Sequence, residues 1–249
     1  MLRGIAVAVA QLLLTPPMAV AGVLLHAIRP KAEFIPKIGR AWSRMILAIG
    51  GIEVVVEGAD IPRRHRPAVV VGNHASHVDS YLAAAVLPQP IRFVAKASLF
   101  RIPFFGQALR SAGMVKLERQ GEQTDIDRLE ALHEILSRDA VVVFFPEGTR
   151  SHDGRLREFK KGGFVMAIKT GVPVIPMAIA GAHRAHPAGT LRFVPGKVTV
   201  RILDPVSTTG LTFDDRDRLI ELVRERIAAA LPPDQRPAPP APAQRKTDG

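Results

Sequence analysis

Short apolar runs alternate with segments of helical periodicity from Ile52 to Leu231. The runs predicted to be strands are IEVVVEG, AVVVG, IRFVAK, MVKLER, AVVVFF, VPVIPMAIAG and KVTVRIL, in chain order. The segments predicted to be helices are SYLAAAVLP, DIDRLEALHEILSR, GGFVMAIKTG and FDDRDRLIELVRERIAAAL. This alternation predicts an α/β fold with a mixed, largely parallel sheet flanked by helices. The run AVVVFF is apolar throughout, as expected for a strand that helices cover on both sides.

The first 50 residues differ and predict an N-terminal membrane-associated helical segment. Residues 5–28 carry no charge and are long enough to cross a bilayer as one straight helix. Pro16 and Pro17 lie mid-stretch, so we expect a break and a re-entrant or interfacial hairpin, although spanning stays open. A signal peptide is an alternative, because Ala19-Val20-Ala21 resembles a cleavage site, but apolar sequence resumes directly after it.

Residues 32–51 predict an amphipathic helix with an apolar face and a basic face. Two interpretations remain open: a helix packed on the domain surface, or a helix lying among anionic lipid headgroups. The preceding apolar stretch favours the second interpretation. The apolar face carries Ile38, Trp42, Met45, Ile46 and Ile49, and the basic side carries Lys37, Arg40 and Arg44.

Composition narrows the class of partner. The 249 residues fit one α/β domain with additions, predicted at residues 51–231, between the N-terminal segment 1–50 and a disordered Pro/Ala-rich tail, 232–249. The absence of cysteine excludes disulfides and thiolate chemistry. A net charge of +11 favours a polyanionic partner, and 5% aromatic residues are few for a protein that stacks nucleic-acid bases. We therefore expect an anionic membrane surface and an anionic substrate, and no nucleic acid.

Two polar turns follow predicted strands. NHASHVD follows the predicted strand AVVVG, and PEGTRS follows the predicted strand AVVVFF. Ligand sites in such sheets form beyond the carboxyl ends of the strands. We therefore expect the two turns to share one cleft.

The turn NHASHVD offers a histidine–carboxylate pair. Ser76 and Asp79 have capping-box spacing, which places Asp79 in the first turn of a helix and His74 one turn back, within hydrogen-bonding reach. His77 and Asp79 do not face each other on a helix, so His74 is the predicted general base. A helix cap with incidental histidines remains an alternative. No metal site is predicted, because no matching ligand pair follows downstream.

The turn PEGTRS offers an anion contact. Gly148 permits a positive φ or a close backbone approach, and Arg150 presents a planar fork suited to phosphate. Taken alone, the pattern is also that of an ordinary turn with an exposed arginine.

Four blocks together resemble the glycerolipid acyltransferases, specifically the bacterial 1-acyl-glycerol-3-phosphate acyltransferases. The resemblance runs from about Val54 to Pro205. The blocks are N-H-x-S-x-x-D at 73–79, KASLFRIPFFGQAL at 96–109, FPEGTRS at 145–151 and VPVIPMAI at 172–179. His77 departs from the pattern, because an apolar or aromatic residue is expected there. His183 and His186 match none of the blocks, although both are candidates for lining the mouth of the pocket.

The resemblance implies transfer of a fatty acyl group from acyl-CoA or acyl-carrier protein to the hydroxyl of a lysolipid, with no cofactor beyond the acyl donor. His74 would be the base and Asp79 would orient it. Substrate binding would fall to Lys96, Glu147, Gly148, Thr149 and Arg150. The implied location is the cytoplasmic face of the cell membrane, through a peripheral or monotopic N-terminal segment. Another lysolipid acceptor and a thioesterase-like hydrolase remain alternatives, and the sequence does not indicate acyl-chain length or oligomeric state.

Overall fold

The computed structural model describes residues 1–28, 34–88, 90–103, 105–117, 135–136 and 139–238, with only the backbone of His26 and Lys96. Within these residues, seven strands form a sheet in the order β1-β7-β6-β2-β5-β3-β4. The strands are β1 Ile52–Glu57, β2 Ala68–Gly72, β3 Ile91–Lys96, β4 Val115–Leu117, β5 Val141–Phe144, β6 Val174–Ala180 and β7 Gly196–Ile202.

The strand directions confirm a mixed, largely parallel sheet. Five adjacent strands run parallel to one another: β4, β3, β5, β2 and β6. Strand β7 is antiparallel to β6, and β1 pairs parallel to β7 at the edge. All five residues of β2 are buried, which explains why AVVVG has no polar side chain.

The predicted helices form, except that DIDRLEALHEILSR lies outside the described residues apart from 135–136. Single 3₁₀ turns occur at Ala97–Arg101, Phe213–Asp215 and Pro233–Gln235. The helices are α1 Leu2–Ile28, α2 Phe34–Gly50, α3 Ile61–Arg64, α4 Val78–Val86, α5 Phe105–Ser111, α6 Gly162–Thr170, α7 Ala182–Ala185 and α8 Arg216–Ala230.

Alternate residues of the central strands are buried in two separate hydrophobic cores, one on each face of the sheet. Val70 packs with α2 and α4 in the first core, whereas its neighbour Val69 packs with α6 and α8 in the second. This alternation follows from the two-residue period of a strand and confirms helices on both faces.

The predicted hairpin at Pro16 and Pro17 is wrong, because α1 continues through both prolines. The helix packs against α2 and α5, and Val7 is buried in the first core. These contacts hold the segment helical where propensity alone disfavours it.

Helix α1 presents a large apolar surface. Its stretch Leu2–Leu25 is long and apolar enough to cross a membrane by length and composition, and little of it is buried. Exposed apolar surface of this extent indicates membrane association. The exposed side chains include those of Leu2, Ile5, Val9, Leu12, Leu13 and Leu24.

The apolar face of α2 packs on the domain, which agrees with the surface-helix interpretation. Ile46 is fully buried, and Trp42 packs edge-to-face on Tyr81 of α4 with ring centroids 5.0 Å apart. Lys37 and Arg44 remain exposed. Contact of the exposed basic side of α2 with anionic lipid headgroups stays a prediction.

The predicted disorder from Pro232 is wrong for residues 232–238. Gln235 is fully buried; its side-chain oxygen accepts the Gly181 N–H at 2.8 Å, and its carbonyl accepts the Leu156 N–H at 2.9 Å. Arg184 and Asp234 form an ion pair at 2.6 Å. These contacts fasten the segment to the end of β6, and composition gave no sign of them because Gln235 stands alone among prolines and charged residues.

Candidate active site

Asn73 fixes the start of the first polar turn. Its side-chain amide donates to the Ile179 carbonyl at 3.0 Å, and its side-chain oxygen accepts the Ile179 N–H at 2.7 Å. The side chain therefore pairs with β6 as a strand backbone would. The next residue, His74, is placed just beyond the carboxyl end of β2.

His74 and Asp79 form the predicted hydrogen-bonded pair. His74 Nδ1 lies 2.9 Å from Asp79 Oδ2, and the same Oδ2 accepts the backbone N–H groups of Ala75 and Ser76, each at 2.7 Å. The Asp79 side chain is 1% exposed, and that of His74 is 19% exposed. The carboxylate receives the Nδ1 proton, which leaves Nε2 as the basic nitrogen.

The predicted capping box is half formed. The Asp79 carboxylate reaches back to the Ser76 N–H as predicted. The Ser76 hydroxyl, however, donates to the His186 carbonyl at 2.6 Å rather than accepting a helix N–H at a comparable distance. Ser76 is fully buried, and this bond ties the first turn to the segment after α7. Helix α4 accordingly begins at Val78 with His77 as its N-cap.

The second turn holds both backbone groups of His74. Glu147 Oε1 accepts the His74 N–H at 2.8 Å, and the Ser151 N–H donates to the His74 carbonyl at 2.8 Å. The Phe145 ring stacks on the imidazole with centroids 4.6 Å apart and an interplanar angle of 20°. The expectation that the two turns share one cleft is confirmed.

Glu147 is a buried carboxyl group beneath this cleft. The residue is 4% exposed, and its Oε2 has no hydrogen-bond partner among the residues described. Burial raises the pKa of Glu147 to about 8, and Asp79 adds to the rise, whereas the His74 N–H acts in the opposite direction. Glu147 is therefore mostly protonated at neutral pH.

Gly148 has the positive φ that its position suggested, +66°. A Cβ built there would lie 2.8 Å from Lys160 Nζ, so the Lys160 side chain runs along this glycine. Thr149 is exposed next to it. The absence of a side chain at Gly148 thus brings an ammonium group close to the backbone of the turn.

Arg150 is partly buried and lacks a full set of partners. Its Nη1 is buried without an acceptor within the described part of the chain. The guanidinium lies close enough to His77 to lower the pKa of that histidine, after burial, which is the larger cause. The side chain of Lys96 lies outside the described residues, so its predicted role stays a prediction.

Three further histidines lie close to the two turns or to α7. His77 is exposed, and its ring meets the buried ring of His186 edge-on at 5.8 Å. His183 packs on Gly154, at the far end of α7 from His186. Among the residues that the structure describes, no group of three or more His, Asp or Glu side chains is arranged to hold a metal ion.

Sequence reasoning gave no specific role to three residues that contribute to the site: Phe145, Lys160 and His186. Phe145 was included only as the end of the predicted strand AVVVFF and the first residue of the block FPEGTRS, and His186 only as a candidate for the pocket mouth. Lys160 and His186 approach through long-range contacts, for which neither spacing nor periodicity carries a signal. For Lys160, the proximity of FKKGG to the turn was the available hint.

Comparison with known proteins decides the family. The family model "Acyltransferase" matches residues 53–180, a range that contains both polar turns. The chain belongs to the acyltransferase family. This result confirms the resemblance carried by the four sequence blocks.

Relatives of the chain come from distant organisms. It is 30% identical over 221 residues to 1-acyl-sn-glycerol-3-phosphate acyltransferase of Limnanthes douglasii, covering 87% of this chain and 78% of that protein. It is 34% identical over 211 residues to the human alpha enzyme of the same name, with 84% and 75% covered. Among solved structures, the 1-acyl-sn-glycerophosphate (LPA) acyltransferase PlsC of Thermotoga maritima superposes with a TM-score of 0.75 at 30% identity, covering 92% of both chains.

Proposed function

We propose that this acyltransferase moves a fatty acyl group from acyl-CoA or acyl-carrier protein to the free hydroxyl of 1-acyl-glycerol-3-phosphate, giving phosphatidate. The observation that carries the proposal is the 2.9 Å bond between His74 Nδ1 and Asp79 Oδ2 at the mouth of the cleft. The printed names of the plant, human and Thermotoga relatives support this acceptor.

In the proposed reaction, His74 acts as a general base. Its Nε2 removes the proton from the acceptor hydroxyl while the hydroxyl oxygen attacks the thioester carbonyl carbon. The tetrahedral intermediate collapses with cleavage of the carbon–sulfur bond, and the departing sulfur takes the proton back from His74. Asp79 holds the imidazolium that forms between the two steps. One ester bond forms and one thioester bond breaks, without a covalent acyl-enzyme.

The second turn serves the acceptor phosphate. The partly buried Arg150 guanidinium, whose Nη1 finds no acceptor in the described ranges, supplies a planar donor pair, and Thr149 and the backbone at Gly148 adjoin it. Glu147 acts below them by holding the His74 backbone. Lys96 is proposed to assist at the phosphate.

The lipid acceptor reaches the cleft from a membrane. The exposed apolar surface of α1 supports peripheral or monotopic attachment. The use of acyl-CoA or acyl-carrier protein places the site on the cytoplasmic face of the cell membrane in this proposal. The net charge of +11 suits both the anionic membrane and the anionic donor.

The experiment follows free-thiol release from a long-chain acyl-CoA by the protein purified in detergent. Lysophosphatidate is added, omitted, or replaced by the matched neutral monoacylglycerol, and His74→Ala is measured in parallel. We expect release that requires both lysophosphatidate and His74, with phosphatidate identified by mass spectrometry. Release without an acceptor would indicate a hydrolase and contradict the proposal. Release with monoacylglycerol alone would contradict the phosphate-bearing acceptor.

A further inference from the structure

A second pair of histidines lies beside the catalytic pair and takes no part in the mechanism above. His77 occupies the position directly before α4, where an apolar or aromatic residue is expected from the family pattern. His186 follows α7, and the two rings meet edge-on with centroids 5.8 Å apart. The pair is thus a feature of this chain rather than of the sequence blocks.

His186 is built into the wall of the cleft. The residue is 5% exposed, its carbonyl accepts the Ser76 hydroxyl at 2.6 Å, and its ring packs edge-on to Phe193 at 4.4 Å. Its Nδ1 is nevertheless buried without a hydrogen-bond partner in the described residues. A buried ring nitrogen without a partner requires an explanation, and a bound anion is one that the neighbouring cation favours.

Arg150 is a third possible hydrogen-bond donor near His77 and His186. Its Nη1 is also buried and finds no acceptor in the part of the chain that the structure describes. The groups facing His77 are Arg150, His186, His74 and Asp79, and those facing His186 include Arg150 and Asp79. Asp79 is the carboxylate among these groups; its Oδ2 accepts from His74, whereas its Oδ1 has no partner among the described residues. Two imidazoles and a guanidinium thus face one carboxylate.

We propose that His77, His186 and Arg150 form a phosphomonoester subsite beside the catalytic pair, in which both histidines donate to phosphate oxygens that Arg150 also binds. The subsite deepens the proposed function, because the acceptor phosphate is one source of such a group. The 3′-phosphate of CoA is the other source with the same chemistry. Each contact is a charge-assisted hydrogen bond when the imidazole is protonated.

The electrostatics set the direction of the pH dependence. Burial is the largest cause that lowers the pKa of both histidines, and Arg150 lowers both further. Asp79 acts in the opposite direction on both, and the backbone of His186 raises the pKa of its own ring, but the net direction is downward for each. A bound phosphate dianion favours the protonated rings and raises both pKa values. Binding therefore tightens as the pH falls toward the histidine pKa values and weakens above them.

The first experiment needs no turnover and uses glycerol 3-phosphate as the probe. The ring signals of ¹⁵N-histidine-labelled protein in neutral detergent are followed during titration with glycerol 3-phosphate, and with glycerol as the uncharged match. We expect glycerol 3-phosphate alone to shift the His77 and His186 ring signals toward the protonated form. Unshifted signals for both residues would overturn the subsite, whatever the acceptor proves to be.

The second experiment assigns the source of the phosphate by kinetics. His77→Phe restores the expected type of residue, and His77→Gln keeps a donor that cannot be charged. His65→Gln is the control, at a histidine outside both turns whose ring bonds to the Ile61 carbonyl. His77→Phe is expected to raise one KM about tenfold with kcat nearly unchanged, and to flatten the rise of that KM with pH. His77→Gln is expected to raise it less and to flatten it equally.

The affected KM identifies the ligand. A change in the KM for lysophosphatidate assigns the subsite to the acceptor, and a change in the KM for acyl-CoA assigns it to the donor. Unchanged values for both substrates with an unchanged pH profile would overturn the proposal. If lysophosphatidate is not a substrate at all, the proposed function fails separately, and the titration with glycerol 3-phosphate still decides the subsite.

Discussion

The two turns that build the site differ in how firmly they are held. In the first turn, every polar side chain that supports His74 is buried and makes at least one hydrogen bond: Asn73 to β6, Ser76 to the His186 carbonyl, and Asp79 Oδ2 to two backbone N–H groups. Asp79 Oδ1 alone among their oxygens has no partner in the described residues. In the second turn, Gly148 and Thr149 are exposed and Arg150 carries an unpartnered nitrogen as far as the described residues extend. General-base chemistry needs a fixed nitrogen, whereas phosphate binding needs donors that are free until the ligand arrives.

This difference predicts that substitutions in the first turn reduce both stability and kcat. Substitutions in the second turn should mainly change KM and should have only small effects on stability. Glu147 is the exception, because it belongs to the second turn in sequence but supports the first turn in space.

Asp79→Asn is expected to have the largest effect. The variant loses the charge that holds the imidazolium, so kcat falls by about 10²–10⁴-fold. It also places an amide where three donors converge, so the free energy of unfolding falls by about 3 kcal/mol. Thiol release and thermal unfolding by circular dichroism measure the two effects. His74→Gln is the matched variant: it should lose similar activity but little stability, and equal stability losses would break the comparison.

Glu147→Gln tests the link between the turns through its pH dependence. The carboxyl is neutral in the fold up to about pH 8 but ionises near its ordinary value of 4.5 when unfolded. Its stabilising contribution is therefore complete below pH 4.5 and lost as the pH rises toward 8. The linkage amounts to about 4 kcal/mol at pH 8, as an upper limit.

The glutamine keeps an oxygen to accept the His74 N–H but never ionises. We therefore expect Glu147→Gln to be more stable than the wild type at pH 8, with the advantage shrinking toward pH 5. Urea unfolding at several pH values measures it, and Glu158→Gln on the exposed surface is the control. A constant difference across the range would show that Glu147 is ionised in the fold.

The sequence predicted the sheet and the first turn well because their signals are local. Buried strands such as AVVVG and AVVVF have no polar side chains, and the His74–Asp79 spacing fits one turn of backbone. The predictions that were wrong concern features that depend on contacts between segments far apart in the sequence. Pro16 and Pro17 continue in a helix because α2 and α5 pack beside it. Gln235 is ordered because Gly181, just after β6, donates its backbone N–H to the Gln235 side chain.

The residues of the site also differ in whether their roles depend on local or on long-range contacts. Glu147 and Arg150 could be predicted from the resemblance, but the burial of Glu147 and its bond to His74 depend on residues 73 positions apart. His186 lies 110 residues from Ser76, to which it is bonded, and no short pattern carries that information.

Arg150→Lys sharpens the comparison in the second turn. Lysine keeps the charge but loses the planar fork, so the KM for lysophosphatidate is expected to rise about tenfold, while kcat changes little. Stability should be nearly unchanged, because the lost Nη1 has no partner in the described structure. Initial rates over a range of lysophosphatidate concentrations measure this, with Arg226→Lys on α8 as control. A loss confined to kcat would assign Arg150 to the reacting atoms instead.

Gly148→Ala is the smallest expected change, and it compares the turns at matched glycines. At Gly148 the new methyl group meets only the flexible end of Lys160, so the cost is that of a positive φ, about 1 kcal/mol of unfolding free energy. At Gly72, the last residue of β2 before the first turn, the methyl group would lie 2.9 Å from Met177 Cε and 3.2 Å from the Phe145 ring that stacks on His74. We therefore expect Gly72→Ala to lower kcat, and Gly148→Ala to lower the melting temperature slightly while kcat is retained. A larger loss of kcat for Gly148→Ala than for Gly72→Ala would mean that the second turn, not the first, fixes the geometry of the base.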